Sequence, residues 1–313
     1  MTRVFGALAF VALMVTPASA QRRFTEQQRC TPAQRDVGCL IVLGSGMPVP
    51  DPDRAGPAYA FVFRDQVLLV DAGAGVMRRA AAAGLPIDGF TSVFLTHLHS
   101  DHTLGLPDVL LTTWVMGRRR AMSVHGPVGT DRLTAGILSA WAEDIDVRTQ
   151  GLERGQPGGQ AAQVQIIPGH GGVVHDTLGV RVSAIPVPHG EWKAAFAFVI
   201  ETPSRRVVLS GDAAPNETLV QAARGADVLV HETYPAVRLR PENRPGGDAW
   251  PAYMRSVHTS DQEVGALAAK AGVKQVVLSH IVRMGGTDAE LRAGVRRGGF
   301  RGPLAIARDL DVY

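Results

Sequence analysis

One nine-residue stretch restricts the fold more than any other part of the chain: Phe94-Leu95-Thr96-His97-Leu98-His99-Ser100-Asp101-His102. Residues 93–96 are apolar or β-branched and read as a buried strand, so the polar cluster after them falls on the loop leaving it. Three histidines and one aspartate within six positions are too dense to bury unless a cation or fixed partners offset their desolvation. Alternate spacing sets His97 and His99 side by side, while Asp101 and His102 turn toward a second point. One loop can thus serve two neighbouring cations. Imidazole with carboxylate suits zinc, and iron or manganese less well. A solvated polar turn is the plain alternative.

A two-cation site needs more ligands than the loop supplies, and isolated candidates stand elsewhere at strand ends. His189 follows the apolar run 182–187, Asp212 follows 207–211, and His280 follows 276–279. From the end of a buried strand a side chain can reach a site at the sheet edge. Strands are expected within 39–46, where an apolar strand runs into a Gly-rich turn, and at 59–63, 66–70, 93–96, 121–125, 164–168, 179–188, 194–201, 206–209, 228–230 and 275–278. Helices are expected at 76–83, 105–114, 131–141, 217–223 and 261–271. Strands followed by helices, twice over, imply two sheets packed together with helices outside. The loops 48–57, 150–163 and 239–254 are expected to shape the site. Asp71, on a turn after the second hairpin strand, is a candidate support for a ligating histidine, with a simple turn as the alternative. Residues 118–120 form an arginine run, read as solvated surface or, alternatively, as a contact for phosphate.

At 313 residues the chain can bury a full core without staples, and a formal net charge of +3 does not by itself imply a nucleic-acid partner. The pI near 9.1 would help an anionic substrate only if the charges gather at the site. Residues 1–20 read as a signal peptide: Arg3, an apolar run over 4–15, and the small residues Ala18-Ser19-Ala20. That run is shorter than the roughly 20 residues a spanning helix needs, so no stable membrane insertion is expected after cleavage. A periplasmic or secreted location follows. Cys30 and Cys39, the only cysteines, are expected to pair there, with two free thiols as the alternative. Residues 21–39 form a polar lead-in, and 40–313 one domain.

The string His97-x-His99-x-Asp101-His102 resembles the signature of the metallo-β-lactamase-fold hydrolases, and its context resembles the ribonuclease Z-like and arylsulfatase-like branch. The resemblance runs from Leu40 to the C-terminus. It implies an α/β fold, a four-layer αββα sandwich. It also implies a cofactor of two Zn2+ ions, with Mn2+ or Fe2+ as alternatives. His97, His99 and His189 would hold one ion, Asp101, His102 and His280 the other, with Asp212 bridging. Such a pair lowers the pKa of a shared water, so that a bridging hydroxide can attack, with Asp101 orienting it. Glu232 and His258 match a pair that in this branch protonates the leaving group. The alternative for His258 is mere adjacency to a helix cap at Ser260 or Thr259.

One departure bears on substrate. Ribonuclease Z proper carries a long tRNA-gripping arm, and here residues 200–206 join two strands directly. The expected function is therefore an exported dinuclear zinc hydrolase of small anionic phosphodiesters, or of aryl sulfate esters, with no tRNA partner. A lactonase or β-lactamase-type acyl hydrolase is the alternative, and a catalytically silent metal-binding module a third. Related enzymes often pair, so a homodimer is compatible with the resemblance.

Overall fold

The computed structural model describes residues 30–151, 153 and 157–313. The signal peptide expected at 1–20 and most of the lead-in lie outside the described residues. Thirteen strands among the described residues form two sheets. The first holds β1 (Cys39–Gly44), β2 (Ala58–Phe63), β3 (Gln66–Val70), β4 (Phe90–Phe94), β5 (Met122–Gly126) and β6 (Ala162–Ile166), side by side in chain order. The second holds β7 (Gly172–Thr177), β8 (Val180–Pro186), β9 (Phe196–Thr202), β10 (Arg205–Leu209), β11 (Val228–Thr233), β12 (Val276–Ile281) and β13 (Leu304–Ile306). β3 to β6 run parallel, as do β10 to β13, so each sheet presents a row of strand C-termini at one edge.

Period-two alternation explains the layering. In β2, Phe61 and Phe63 face the second sheet, where they join Phe94, Phe196, Phe198 and Val207 in one core. Ala60 and Val62 face the other way, against Met77, Leu106 and Leu110. A third core packs Leu219, Val264, Leu267 and Leu291 on the outer face of the second sheet. A strand buried on both faces must be apolar throughout, as β1, β2 and β12 nearly are. The result is the four-layer αββα sandwich.

The helices are α1 (Pro32–Val37), α2 (Val76–Ala82), α3 (Ser100–Thr103), α4 (Leu106–Val115), α5 (Thr130–Ala140), α6 (Ala142–Gln150), α7 (Glu217–Ala222), α8 (Trp250–Val257), α9 (Asp261–Ala271) and α10 (Asp288–Arg297). Five differ from expectation, the first being α3, a single turn within the ligand loop. α1 stands in the lead-in, closed by a capping box between Thr31 and Gln34. α6 buries no residue, so it has no apolar stripe to read; an Asp144–Arg148 pair at 2.9 Å supports it. α8 replaces part of the loop expected at 239–254, because Pro251 sits in its first turn, where a missing N–H costs nothing, and Met254 and Val257 find buried places. α10, with β13 beyond it, extends the second half. β9 and β10 pair tightly, Thr202 opposite Arg205, so the direct join expected there is present.

The Cys30 and Cys39 sulfurs are bonded, at 2.00 Å, and tie α1 to β1. Closing so short a loop constrains the unfolded chain by about 2–3 kcal/mol. Reduction is expected to lower the denaturant midpoint accordingly; an unchanged midpoint would deny the bridge a stabilising role.

His125, opposite Phe94 near the C-terminal end of β5, supplies a pH signature of its own. It is buried on β5 and stacks on Phe94 at 4.6 Å. Burial, then the nearby His175, pulls its imidazole down to about 4 from an ordinary 6.5. With the folded value depressed, the stability it contributes is present above pH 6.5 and lost as pH falls toward 4. The loss amounts to about 3 kcal/mol. Melting His125→Phe beside the parent at pH 7 and pH 5 checks this; the parent should lose more on acidification, and equal losses would contradict it.

Candidate metal centre

Five loops meet at the strand C-termini. The loop after β4 carries His97, His99, Asp101 and His102, the last two on the short helix α3. His189 follows β8, Asp212 follows β10, and His280 lies within β12. An irregularity in the register between β11 and β12 falls beside His280, whose φ of 45° is in the left-handed region. Asp71 is left-handed as well, at φ 56°. Both conformations cost energy for residues with a Cβ and persist because neighbouring structure fixes them. Gly211 lets the Asp212 loop approach: a Cβ there would lie 2.7 Å from the Phe196 carbonyl and 3.0 Å from Thr96 Cβ.

The structure brings all seven expected ligands together, in two groups. His97, His99, His189 and Asp212 form one; Asp101, His102 and His280 form the other. His99 Nδ1 lies 2.8 Å from His97 Nε2 and 3.2 Å from His189 Nε2. Asp212 stands between the groups. Its Oδ2 is 3.9 Å from both His97 Nε2 and His189 Nε2 and 3.5 Å from His280 Nε2, and its Oδ1 is 3.4 Å from His102 Nε2. Ligands around a tetrahedral zinc ion are about 3.3 Å apart, so these spacings bracket what a cation requires. The second test is satisfaction. His102 Nε2 and Asp212 Oδ1 are buried without any hydrogen bond, an arrangement that costs energy unless a cation supplies the missing partner.

Protonation fits the same reading. Burial lowers His97, His99 and His189, favouring the neutral imidazoles that ligate. Burial alone would raise Asp212, but His280, His102 and His97 hold it well below the usual carboxylate range. Asp101 is likewise lowered against the effect of burial, chiefly by its bond to His280. His102 goes the other way: Asp212 and Asp71 raise it well above the ordinary value despite burial.

The ring orientations are fixed from behind. His102 Nδ1 donates to Asp71 Oδ2 at 2.8 Å, and His189 Nδ1 to the Val257 carbonyl at 2.8 Å. Thr96 Oγ1, 3.0 Å from His97 Nδ1, donates in turn to Asp71. Asp71 therefore orients His102 directly and His97 through Thr96. Asp71→Asn is expected to weaken zinc binding by about 10–100-fold in a chelator competition; unchanged affinity would contradict this support.

Glu232 and His258 also meet here. His258 Nδ1 is 3.3 Å from Glu232 Oε1 and 4.0 Å from Asp212 Oδ2. The backbone N–H groups of Thr259 (3.0 Å) and Ala213 (3.3 Å) donate to Glu232 Oε1. Burial opposes a charged His258, but Glu232 overrides it and holds the imidazole up to about 9. Ser260 caps α9 in a capping box with Glu263, so the capping role exists beside the pairing rather than in place of it. The 118–120 run behaves differently. Arg118 is buried and donates to the Leu110 carbonyl (2.9 Å) and Thr113 Oγ1 (2.8 Å), a structural role at the end of α4. Arg119 and Arg120 line a cavity with Phe90 and Ser92, at the far end of β4 from the ligand loop.

Three residues here escaped sequence reading. Thr96 reads as one more strand residue, and its bonds to Asp71 and His97 are visible only in the fold. Tyr59 lies beneath the site, its hydroxyl 2.9 Å from Ser279 Oγ. Trp192, 37 % exposed, donates its indole N–H to His99 Nε2 at 2.9 Å. An aromatic three positions after a candidate ligand was the available signal.

The Beta-lactamase superfamily domain matches residues 66–281. Ribonuclease Z of Mycobacterium bovis (strain BCG / Pasteur 1173P2) is 34 % identical over 280 residues, covering 87 % of this chain and 96 % of the relative. Ribonuclease Z of Mycobacterium marinum is 34 % identical over 285 residues, with the same coverage. Among solved structures, the metallo-β-lactamase fold protein YhfI from Bacillus subtilis superposes with a TM-score of 0.67 at 19 % identity, over 89 % of this chain and 99 % of its own. The short form of human tRNase Z gives 0.65 at 19 % identity, over 88 % and 98 %. These two likenesses speak for the fold.

The sequence matches correct one expectation. The expectation of a small-phosphodiester hydrolase with no tRNA partner rested on the missing arm between β9 and β10 and on the export read from residues 1–20. Proteins named ribonuclease Z match this chain over nearly their whole length. The 280 aligned residues take up 87 % of this chain, which leaves no room in that relative for an arm of tens of residues that this chain lacks. The short β9–β10 hairpin therefore does not argue against tRNA.

Proposed function

The chain belongs to the ribonuclease Z branch of the metallo-β-lactamase superfamily and is a metal-dependent hydrolase, and from that premise we propose that it cleaves phosphodiester bonds in tRNA-class RNA. The observation that carries the reading is the joining of the two ligand groups by Asp212 beside the His258–Glu232 pair. The near-full-length likeness to ribonucleases Z supplies the substrate class.

We assign the ligands as the geometry suggests: His97, His99 and His189 for one zinc ion, Asp101, His102 and His280 for the second, Asp212 shared. When bound, the cations would activate water and neutralise charge developing on the phosphoryl oxygens. The chain's own residues do the rest. Asp71 and Val257 hold the imidazoles of His102 and His189 with Nε2 inward. Glu232, anchored by the Thr259 and Ala213 amides, faces His258 Nδ1 and keeps the ring charged near neutral pH. His258 Nε2 is then the end that delivers a proton to the departing ribose oxygen. Asp101, only part-buried at the mouth, accepts from His280 at 3.2 Å and stands where it can also orient water.

Competition tests the reading. A tRNA transcript is expected to inhibit competitively the hydrolysis of bis(p-nitrophenyl) phosphate by the zinc-loaded chain. Absence of inhibition at micromolar transcript would contradict RNA as the occupant.

A further inference from the structure

Beside the candidate centre lies a cavity of about 540 Å3, lined by Val128, Arg132, Ile167, Glu191, Trp192 and Lys193, among others. From this lining we infer a nucleotide subsite that holds one base and one phosphate of the substrate next to the scissile bond. The inference rests on the RNA reading above and deepens it.

Three observations converge. The first is chemical content. An exposed indole offers a stacking face that any base can use. Arg132 and Lys193 supply positive charge for a phosphate, and neither side chain has an ion pair or hydrogen bond among the described residues. Glu191 is the one carboxylate in the lining, an acceptor for a ribose hydroxyl or an exocyclic amine. The volume falls in the range of small-molecule sites.

The second is position. Trp192 links the cavity to the metal centre, because its ring packs edge-on to His97 and His99, at 5.8 and 4.8 Å between centroids. A base held on this indole would put its phosphate within a few ångströms of the ligand groups.

The third is hydrogen bonding. Donation from Trp192 to His99 Nε2 requires that nitrogen to be unprotonated, which puts the ring proton on Nδ1. Nδ1 is the atom that faces His97 and His189. A cation held by His97, His99 and His189 would take His99 through Nδ1 and leave the ring proton on Nε2, where it would oppose the indole N–H and leave Trp192 open to a base.

The test is calorimetric titration of the zinc-loaded chain with AMP and with ribose 5-phosphate, which shares the phosphate and sugar but has no base. AMP is expected to bind about tenfold more tightly or better. Trp192→Ala should erase that preference, and Trp192→Phe should keep most of it. The double variant Arg132→Ala/Lys193→Ala should weaken both ligands severalfold. Equal binding of AMP and ribose 5-phosphate by the parent would overturn the inference, as would an undiminished preference in Trp192→Ala. Titration needs no turnover, so the failure of the subsite is separable from the failure of the RNA reading: RNA cut by a chain with no preference for AMP sinks the subsite alone.

Discussion

Asp212→Asn is expected to lower kcat/KM on RNA by about 10^3-fold. Asp212 faces both ligand groups, His102 with one oxygen and His97, His189 and His280 with the other. The amide keeps the shape and loses the charge, so four imidazoles lose their common counter-charge and the shared ligand becomes a poor one. Zinc content, measured on the same preparation, should fall together with the rate. A variant that retained both zinc and most of its activity would show that the two groups work independently.

His258→Ala is expected to cost about 10^2- to 10^4-fold in kcat on RNA, whose departing ribose oxygen needs a proton. On bis(p-nitrophenyl) phosphate the cost should be far smaller, because p-nitrophenolate leaves without one. The contrast between the two substrates separates proton delivery from a structural role, which would depress both equally. Glu232→Gln should act through His258. Without the carboxylate at 3.3 Å, burial is opposed by the more distant Asp212, the imidazole pKa drops from about 9, and the alkaline limb of the rate profile on RNA moves to lower pH. An unmoved limb would deny Glu232 this role.

The seven candidate ligands were legible in the sequence because each carries a local mark. Four sit in one dense loop, and the other three stand alone just where an apolar run stops. Alternation within β2 and β3 and the cap at Ser260 are local too, which is why the two-sheet architecture and α9 could be read directly. What escaped depends on partners remote in sequence. β7 is largely exposed and gains its place only by pairing with β8. The 250–257 helix hides behind Pro and Gly in a stretch whose burial is decided by Tyr234 and Val282. Thr96 and Trp192 matter through Asp71 and His99, partners 25 and 93 positions away. The substrate was misjudged for a different reason: a missing segment was weighed as evidence, although the armless hairpin is compatible with the full length of proteins named ribonuclease Z.

Incubation of the zinc-loaded chain with a tRNA transcript carrying a 3′ extension, with the products mapped at single-nucleotide resolution, tests the central claim most directly. The account predicts one endonucleolytic cut, lost on chelation, restored by zinc and absent in His99→Ala. An intact transcript, from a preparation that holds its zinc and hydrolyses bis(p-nitrophenyl) phosphate, would contradict it.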